Sequence, residues 1–298
     1  MSHVVSNCPL CDGERHRSFE SVMDGERELV YQMCATCGMV FQSPRMTMEE
    51  LDDFYQSEYR VLVQGQEGPS EKDRRVQAGR ARHLVAFCKP HVSEVNLHLD
   101  IGSSAGSLMK AVKDAYGCAS VGVEPGDAYR EFSRHRSLQT VASLGELGAE
   151  RRASFDLISM SHMLEHIPDP VQYLEMLRGD WLTPDGYILV EVPNLFGHQS
   201  YELAHLLAFS PPSLKQTLQV AGFEVIALKA HGNPRSQWIP LYITALARVD
   251  GGGQAQKNVR WRSSSVRLQR RLGMLWHRGV TRFLPGFAWL PFPPLDEL

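Results

Sequence analysis

The stretch Leu97-His98-Leu99-Asp100-Ile101-Gly102-Ser103-Ser104-Ala105-Gly106-Ser107-Leu108 decides the fold. A strand ending in an acid runs into a turn of small residues, and a helix starts directly after it. Gly102 and Gly106 allow a ligand to approach the backbone where a side chain would block it. Glu124 closes the next expected strand, 22 residues after Gly102, where a carboxylate can accept hydrogen bonds from ribose hydroxyls. A glycine turn alone is weak evidence. In a strand-turn-helix context with a spaced acid it points to a nucleoside-containing ligand. The G-x-G-x-x-G spacing that seats a pyrophosphate at a helix N-terminus is absent.

Outward from this turn, strands are expected at Val95–Asp100, Ser120–Glu124, Gln139–Ala142, Phe155–Met160, Tyr187–Val192, Phe223–Ala230 and Tyr242–Arg248. Helical stretches at Ser107–Tyr116, Ala128–His135, Leu144–Arg151 and Pro170–Arg178 separate the first five. Such alternation predicts an α/β fold, a Rossmann-like and mostly parallel seven-stranded sheet with helices on both faces. No clear helix separates the last two strands, which predicts a final antiparallel pair.

Upstream, Cys8-Pro-Leu-Cys11 and Cys34-Ala-Thr-Cys37 form two C-x2-C knuckles 22 residues apart. Two such knuckles supply the four thiolates of a tetrahedral zinc shell. A shell closed by four cysteines leaves no open position for water, so a structural zinc is expected. The loosely alternating segment between the knuckles suggests a small antiparallel ribbon, with Met39–Phe41 as a further strand and Thr47 with Glu50 as a capping box. A helix is expected over about residues 74–87. Cys88 and Cys118 are isolated among small or apolar residues and read as inert core thiols.

Asp100-x-Gly102-x-Ser104-x-Gly106 resembles the D-x-G-x-G-x-G first motif of class I S-adenosylmethionine-dependent methyltransferases, with Ser104 at the central glycine. Gly122-Val-Glu124-Pro125 resembles the second motif. Phe155-Asp through Leu164-Glu165-His166-Ile-Pro-Asp169-Pro170 is similar to a fourth-strand signature of many small-molecule members, and Leu182 to Asn194 to the turn and fifth strand. The four cysteines followed by Ser43-Pro-Arg45 and Phe54-Tyr55-x-x-x-Tyr59 resemble the deoxysugar C-methyltransferases, which carry a further large C-terminal domain. The resemblance implies S-adenosylmethionine as cofactor, with Asp100 and the Gly102, Ser104 and Gly106 backbone on its methionine portion and Glu124 on the ribose. It implies Ser143 and Leu144 beside adenine and Ser161 and His162 beside the methyl group. For a general base, the candidates are His162, His205, His198 and Tyr201. His166 reads as a structural residue of a packed helix start.

Three segments are therefore expected: a zinc module with a connecting helix over residues 1–60, a methyltransferase domain over 74–250, and a linker with a tail over 251–298. The 298 residues are 43% hydrophobic and 22% charged with net charge -3, which excludes disorder or a coiled coil as a whole-chain description. The balanced charge also argues against a dedicated nucleic-acid binder, and the resemblance implies a sugar or glycan-linked small molecule as the acceptor. RNA is the competing substrate class, and a non-catalytic binding module is the third reading. Charge is uneven, however: residues 250–298 carry eight Lys/Arg against three acids. Leu268, Leu272, Leu275 and Trp276 fall near one side of a basic amphipathic helix there, able to lie on an anionic membrane, on a partner or on the protein's own surface. Without a secretory signal or a spanning segment, a cytoplasmic location is expected, with the tail as the candidate contact to the inner membrane surface.

Overall fold

The computed structural model describes residues 3–25, 27–47, 50, 68–199, 201–251, 263, 265–292 and 294. The expected Phe54-to-Tyr59 motif and most of the glycine linker after Asp250 lie outside the described residues.

Two sheets organise the chain. The larger has strands β4 (Leu97–Ile101), β5 (Ala119–Val123), β6 (Gln139–Val141), β7 (Phe155–Ser161), β8 (Leu182–Pro193), β10 (Phe223–His231) and β11 (Tyr242–Val249), in the order β10-β11-β8-β7-β4-β5-β6. β8, β7, β4, β5 and β6 run parallel, and β11 lies antiparallel between β8 and β10. Strands covered on both faces need near-continuous apolar sequence, and Leu99, Ile158, Met160, Ile188 and Val190 are all essentially inaccessible.

Helices α1 (Glu71–Cys88), α2 (Ser107–Tyr116), α3 (Asp127–His135), α4 (Pro170–Met176) and α5 (Pro211–Val220) surround this sheet. Ser70 caps α1 by accepting from the Asp73 amide, and the expected start near residue 74 moves accordingly to Glu71. α2 stops at Gly117, which takes the left-handed conformation that closes a helix. The helix expected at Leu144–Arg151 is instead two short 3-10 turns, Leu144–Leu147 and Ala149–Arg151. Gly148 interrupts them with φ of 80°, a backbone an α-helix does not contain. Cys88 and Cys118 are buried, as the sequence suggested, and burial pushes both thiols up.

The smaller sheet has the order β1 (His16–Asp24), β2 (Arg27–Cys34), β3 (Val40–Gln42) and β9 (Leu207–Ala208). Its fourth strand pairs antiparallel with β3, so the N-terminal ribbon is completed by residues that follow β8. Thr47 and Glu50 exchange the two expected capping hydrogen bonds. The tail forms α6 (Val266–Phe283) and a short turn α7 (Pro285–Ala288). Val266 joins Leu29, Tyr31, Met33, Val40 and Leu195 in one apolar cluster, which ties ribbon, post-β8 loop and tail together.

Candidate active site

The carboxyl ends of β4, β5, β6 and β7 form one rim, the position where open parallel sheets bind ligands. Gly102, Ser104 and Gly106 all have left-handed backbone, at φ of 73°, 47° and 75°. Packing adds to the demand that φ makes for glycine: a Cβ on Gly102 would fall 2.4 Å from Met163 Cγ, and one on Gly106 2.3 Å from Leu138 Cδ1, so those side chains would have to shift. Ser104 keeps its turn because its hydroxyl accepts from Gln77 Nε2 at 3.0 Å and its amide donates to Glu124 Oε2 at 2.9 Å. The other Glu124 oxygen accepts from the Gly126 amide at 2.8 Å. Glu124 thus bridges the ends of β4 and β5 beneath the glycine turn.

Ser143 and Leu144 open the turn after β6, one strand beyond Glu124, whose amide donates to Val141. Ser161 ends β7, with its hydroxyl oxygen buried and without a hydrogen-bond partner. Asp100 lies deeper than the rim. Its Oδ1 accepts from Ser159 Oγ at 2.5 Å, and His98 spans Ser159 and Ser120 at 2.8 and 2.9 Å. Burial pushes the Asp100 carboxyl up to about 7, against the lowering effect of the Ser159 hydroxyl.

Beside this rim, toward β8 and β11, stands a polar network that the sequence reading did not identify. Its centre is Glu191, fully buried in β8. Arg80 Nε of α1 lies 2.7 Å from Glu191 Oε1, and His162 Nε2 lies 3.4 Å from the same oxygen. Glu191 Oε2 accepts from Thr244 Oγ1 at 3.2 Å and stands 3.4 Å from His231 Nε2. The other His162 nitrogen, Nδ1, lies 3.4 Å from Glu165 Oε1. Burial and Arg80 oppose a charged His162, yet the two glutamates outweigh them and hold its pKa above the ordinary value. Burial likewise opposes charge on Glu165, which His162 nevertheless holds down to about 2. Both Glu165 oxygens are buried without a hydrogen bond of good geometry. One signal for this network was available in the sequence: Glu191 is the lone acid in the apolar run Tyr187-Ile-Leu-Val-Glu-Val-Pro193.

The segment after β8 carries the remaining candidates. Asn194, His198, Tyr201 and His205 line a small cavity with Leu195 and Leu207. His205 Nε2 lies 3.6 Å from Glu202 Oε2, and its ring is 4.9 Å from that of His166. Burial, with the neighbouring His166 adding to it, pushes His205 down to about 3, so its imidazole is neutral at physiological pH. The His166 Nδ1 stands 2.8 Å from the Ala204 carbonyl, in keeping with a structural residue. Tyr201 reaches the cavity wall, but its hydroxyl donates to Glu20 of β1 at 2.8 Å and Arg270 of α6 lies over its ring at 5.3 Å. Burial raises the Tyr201 pKa, which keeps the phenol protonated. The structure therefore brings His162 and His205 toward one charged cluster and turns the Tyr201 hydroxyl away into the N-terminal ribbon.

The same ribbon shapes this segment. Tyr31 of β2 donates to the His205 carbonyl at 2.6 Å, Asp24 accepts from the Leu203 amide at 3.0 Å, and the Gln42 amide donates to Leu206. At its outer end the four cysteine sulfurs gather within 4.8 Å of one another, with Cys8 to Cys37 and Cys11 to Cys34 both at 3.5 Å. Four sulfurs about 2.3 Å from a shared ion would stand roughly 3.8 Å apart, so this set fits a tetrahedral metal. Gly38 (φ 77°) supplies the turn after the second knuckle, and the Thr36 amide donates to Cys34 Sγ at 3.4 Å.

Comparison with known proteins agrees with the fold. Residues 72–228 match the family model described as a methyltransferase domain. A ubiquinone biosynthesis O-methyltransferase from Saccharophagus degradans is 32% identical over 91 residues, 28% of this chain and 38% of that protein. Another of that name from Xanthomonas axonopodis is 25% identical over 135 residues, 43% of this chain and 54% of that protein. The chain thus spans about half or less of the curated relatives it matches. Among solved structures, the Burkholderia thailandensis 1,6-didemethyltoxoflavin-N1-methyltransferase, crystallised with S-adenosylhomocysteine, superposes with a TM-score of 0.53 at 20% identity, covering 78% of this chain and 99% of that one. The plantazolicin methyltransferase gives 0.50 at 11% identity, covering 67% and 93%. These likenesses carry the fold. With more than half of its residues inside the matched region, the chain belongs to the methyltransferase-domain family.

Proposed function

We propose that the protein is an S-adenosylmethionine-dependent methyltransferase that methylates a hydroxyl of a small molecule, with sugars or glycan-linked intermediates as the acceptor class. One observation carries this reading. The rim with the Glu124 clamp is followed, across β7 and β8, by a buried network of His162, Glu165 and Glu191 and by the small cavity in which Asn194, His198 and His205 offer polar groups to an acceptor hydroxyl. The named activity of the two curated relatives, O-methylation of a small molecule, supports the same acceptor atom.

S-adenosylmethionine, when bound, supplies a methyl group already activated on a sulfonium, so the chain's work is alignment and removal of a proton. Glu124 would hold the ribose, the backbone of Gly102 to Gly106 the methionine portion, Ser143 and Leu144 the adenine, and Ser161 the edge facing the acceptor. Asp100 would stiffen the turn from beneath through Ser159. His205 is the candidate base by position: it lines the cavity, and Glu202 Oε2 lies 3.6 Å from its Nε2, where it can stabilise the imidazolium that forms. His205 would take up the proton that the acceptor hydroxyl gives up on methylation. His162, held between two carboxylates, would serve as the fixed positive charge that lets both remain buried.

The cysteine cluster is read as a structural zinc site, since four thiolates fill the shell. Through Tyr31, Asp24 and β9 the module it stabilises would set the acceptor wall. A labelled-methyl screen tests the assignment with three arms: nucleotide sugars and glycans, catechols and quinols, and bulk RNA. Transfer to the first arm is expected. Label appearing on quinols alone would replace the acceptor class, and label on RNA alone would replace the whole small-molecule reading. Calorimetry showing no S-adenosylmethionine binding by zinc-loaded protein would remove the enzyme assignment itself.

A further inference from the structure

The tail helix α6 docks on the protein by an unexpected face. Arg270 and His277 are 7% and 4% exposed, while Leu268, Leu272, Leu275, Trp276 and Phe283 are 58%, 56%, 63%, 51% and 74% exposed. Polar contacts account for the inversion. Arg270 donates to the Leu195 and His198 carbonyls at 2.7 and 2.6 Å, and His277 Nδ1 stands 2.6 Å from the Gly197 carbonyl. Gly273 brings the helix so close that a Cβ there would meet the Phe196 carbonyl oxygen at 1.8 Å. The amphipathic pattern legible in the sequence is real, but its apolar side faces outward.

That outward side has a definite composition. At 3.6 residues per turn the five apolar residues fall within an arc of about 100°, and Arg271, Arg278 and Arg282, all exposed, line one border of it. No acidic residue occurs anywhere in Val266–Phe283. The surface extends beyond the helix: Trp276 Nε1 donates to the Trp238 carbonyl, and Trp238 stacks on Phe287 at 4.8 Å. Arg235 lies 4.9 Å over the Phe292 ring, so cationic and aromatic groups alternate here as well.

We propose that this face is an interfacial anchor that lays α6 and α7 flat on an anionic lipid bilayer. Leucine and phenylalanine would enter the acyl boundary, tryptophans would sit at headgroup depth, and the arginine border would meet lipid phosphates. A second copy of this chain fits worse. Packing two such stripes against each other buries rows of arginine together with no carboxylate in either helix to neutralise them. Among the described residues no helix is long and apolar enough to cross a membrane, so the contact is in-plane. Because Arg270 and His277 grip the same loop that carries His198, the anchor is coupled to the wall of the cavity behind β8.

Cosedimentation of the full-length protein with vesicles tests this, using neutral phosphatidylcholine and phosphatidylcholine carrying roughly a third phosphatidylglycerol. Three outward arginines at about 1 kcal/mol each predict binding on the order of a hundredfold tighter to the anionic vesicles. Leu272→Glu/Leu275→Glu should abolish pelleting while leaving the melting temperature and circular dichroism unchanged, since both positions are solvent-facing. Arg271→Glu/Arg278→Glu should remove the preference for anionic lipid. Equal binding to both vesicle types, or none to either, overturns the proposal. So does a concentration-dependent dimer that Leu272→Glu/Leu275→Glu converts to monomer, which would assign the face to a second copy.

Discussion

The two halves of the candidate site are built in opposite ways. The donor half is local: the turn after β4, Glu124 after β5 and Ser143 after β6 lie within one run of about fifty residues. Each is fixed by contacts to its immediate neighbours, as in the bridge from Glu124 to the Ser104 and Gly126 amides. The acceptor half is assembled from far-apart pieces. The segment after β8 is held by Tyr31 and Asp24 from the N-terminal ribbon and by Arg270 and His277 from the tail. A local site can be disturbed by one residue beside it, whereas an assembled one can be lost from a distance.

Disrupting the four-cysteine cluster is the severest test of that contrast. Chelation, or Cys34→Ser/Cys37→Ser, should loosen the ribbon and its strand β9, and methyl transfer should fall at least about a thousandfold. Donor affinity measured by calorimetry should stay within a few fold. If donor binding collapses together with turnover, the halves are not separable and the comparison fails. Next in size, His205→Gln should lower kcat by roughly a hundredfold or more with the donor Kd unchanged, as expected on loss of a proton acceptor. Retention of full turnover would move the base elsewhere.

Glu124→Ala probes the opposite half. Loss of the acceptor of the Ser104 and Gly126 amides, and with it of the proposed ribose contacts, should weaken donor binding by about tenfold to a hundredfold. The melting temperature of the ribbon and the acceptor KM should change little. An unaltered donor Kd would remove the ribose assignment.

What could be read in advance follows the same division. All seven strands of the large sheet, the glycine turn and the cysteine pairs depend on short-range spacing, and the sequence displays that spacing directly. Leu144–Arg151 was misread as a helix because its helix-forming residues outweighed two glycines in pattern, though not in backbone conformation. Glu191 stood out in an apolar strand, yet its partners Arg80, His162, Thr244 and His231 come from four other elements that only the tertiary fold brings together. The tail shows the limit most plainly. Periodicity correctly separated its leucines from Arg270, but which side faced the protein depended on carbonyl acceptors at residues 195, 197 and 198.

The smallest expected effect concerns Asp100, which belongs to the local half and should report on it alone. Its folded pKa is about 7, against about 3.9 for an unfolded aspartate. A raised carboxyl pKa means that the folded state holds a proton the unfolded chain has already released. Its favourable contribution is complete below about pH 4 and is lost as pH rises through 7. Asp100→Asn cannot ionise, so it escapes this loss. The stability of the variant relative to the parent should therefore increase by about 2 to 3 kcal/mol between pH 5 and pH 8.5, or roughly 5 to 10 °C in melting temperature. Every other titrating group is shared by the two proteins and cancels in the difference. A difference that stays flat with pH would mean that Asp100 is ionised throughout, with more donors than Ser159 alone provides.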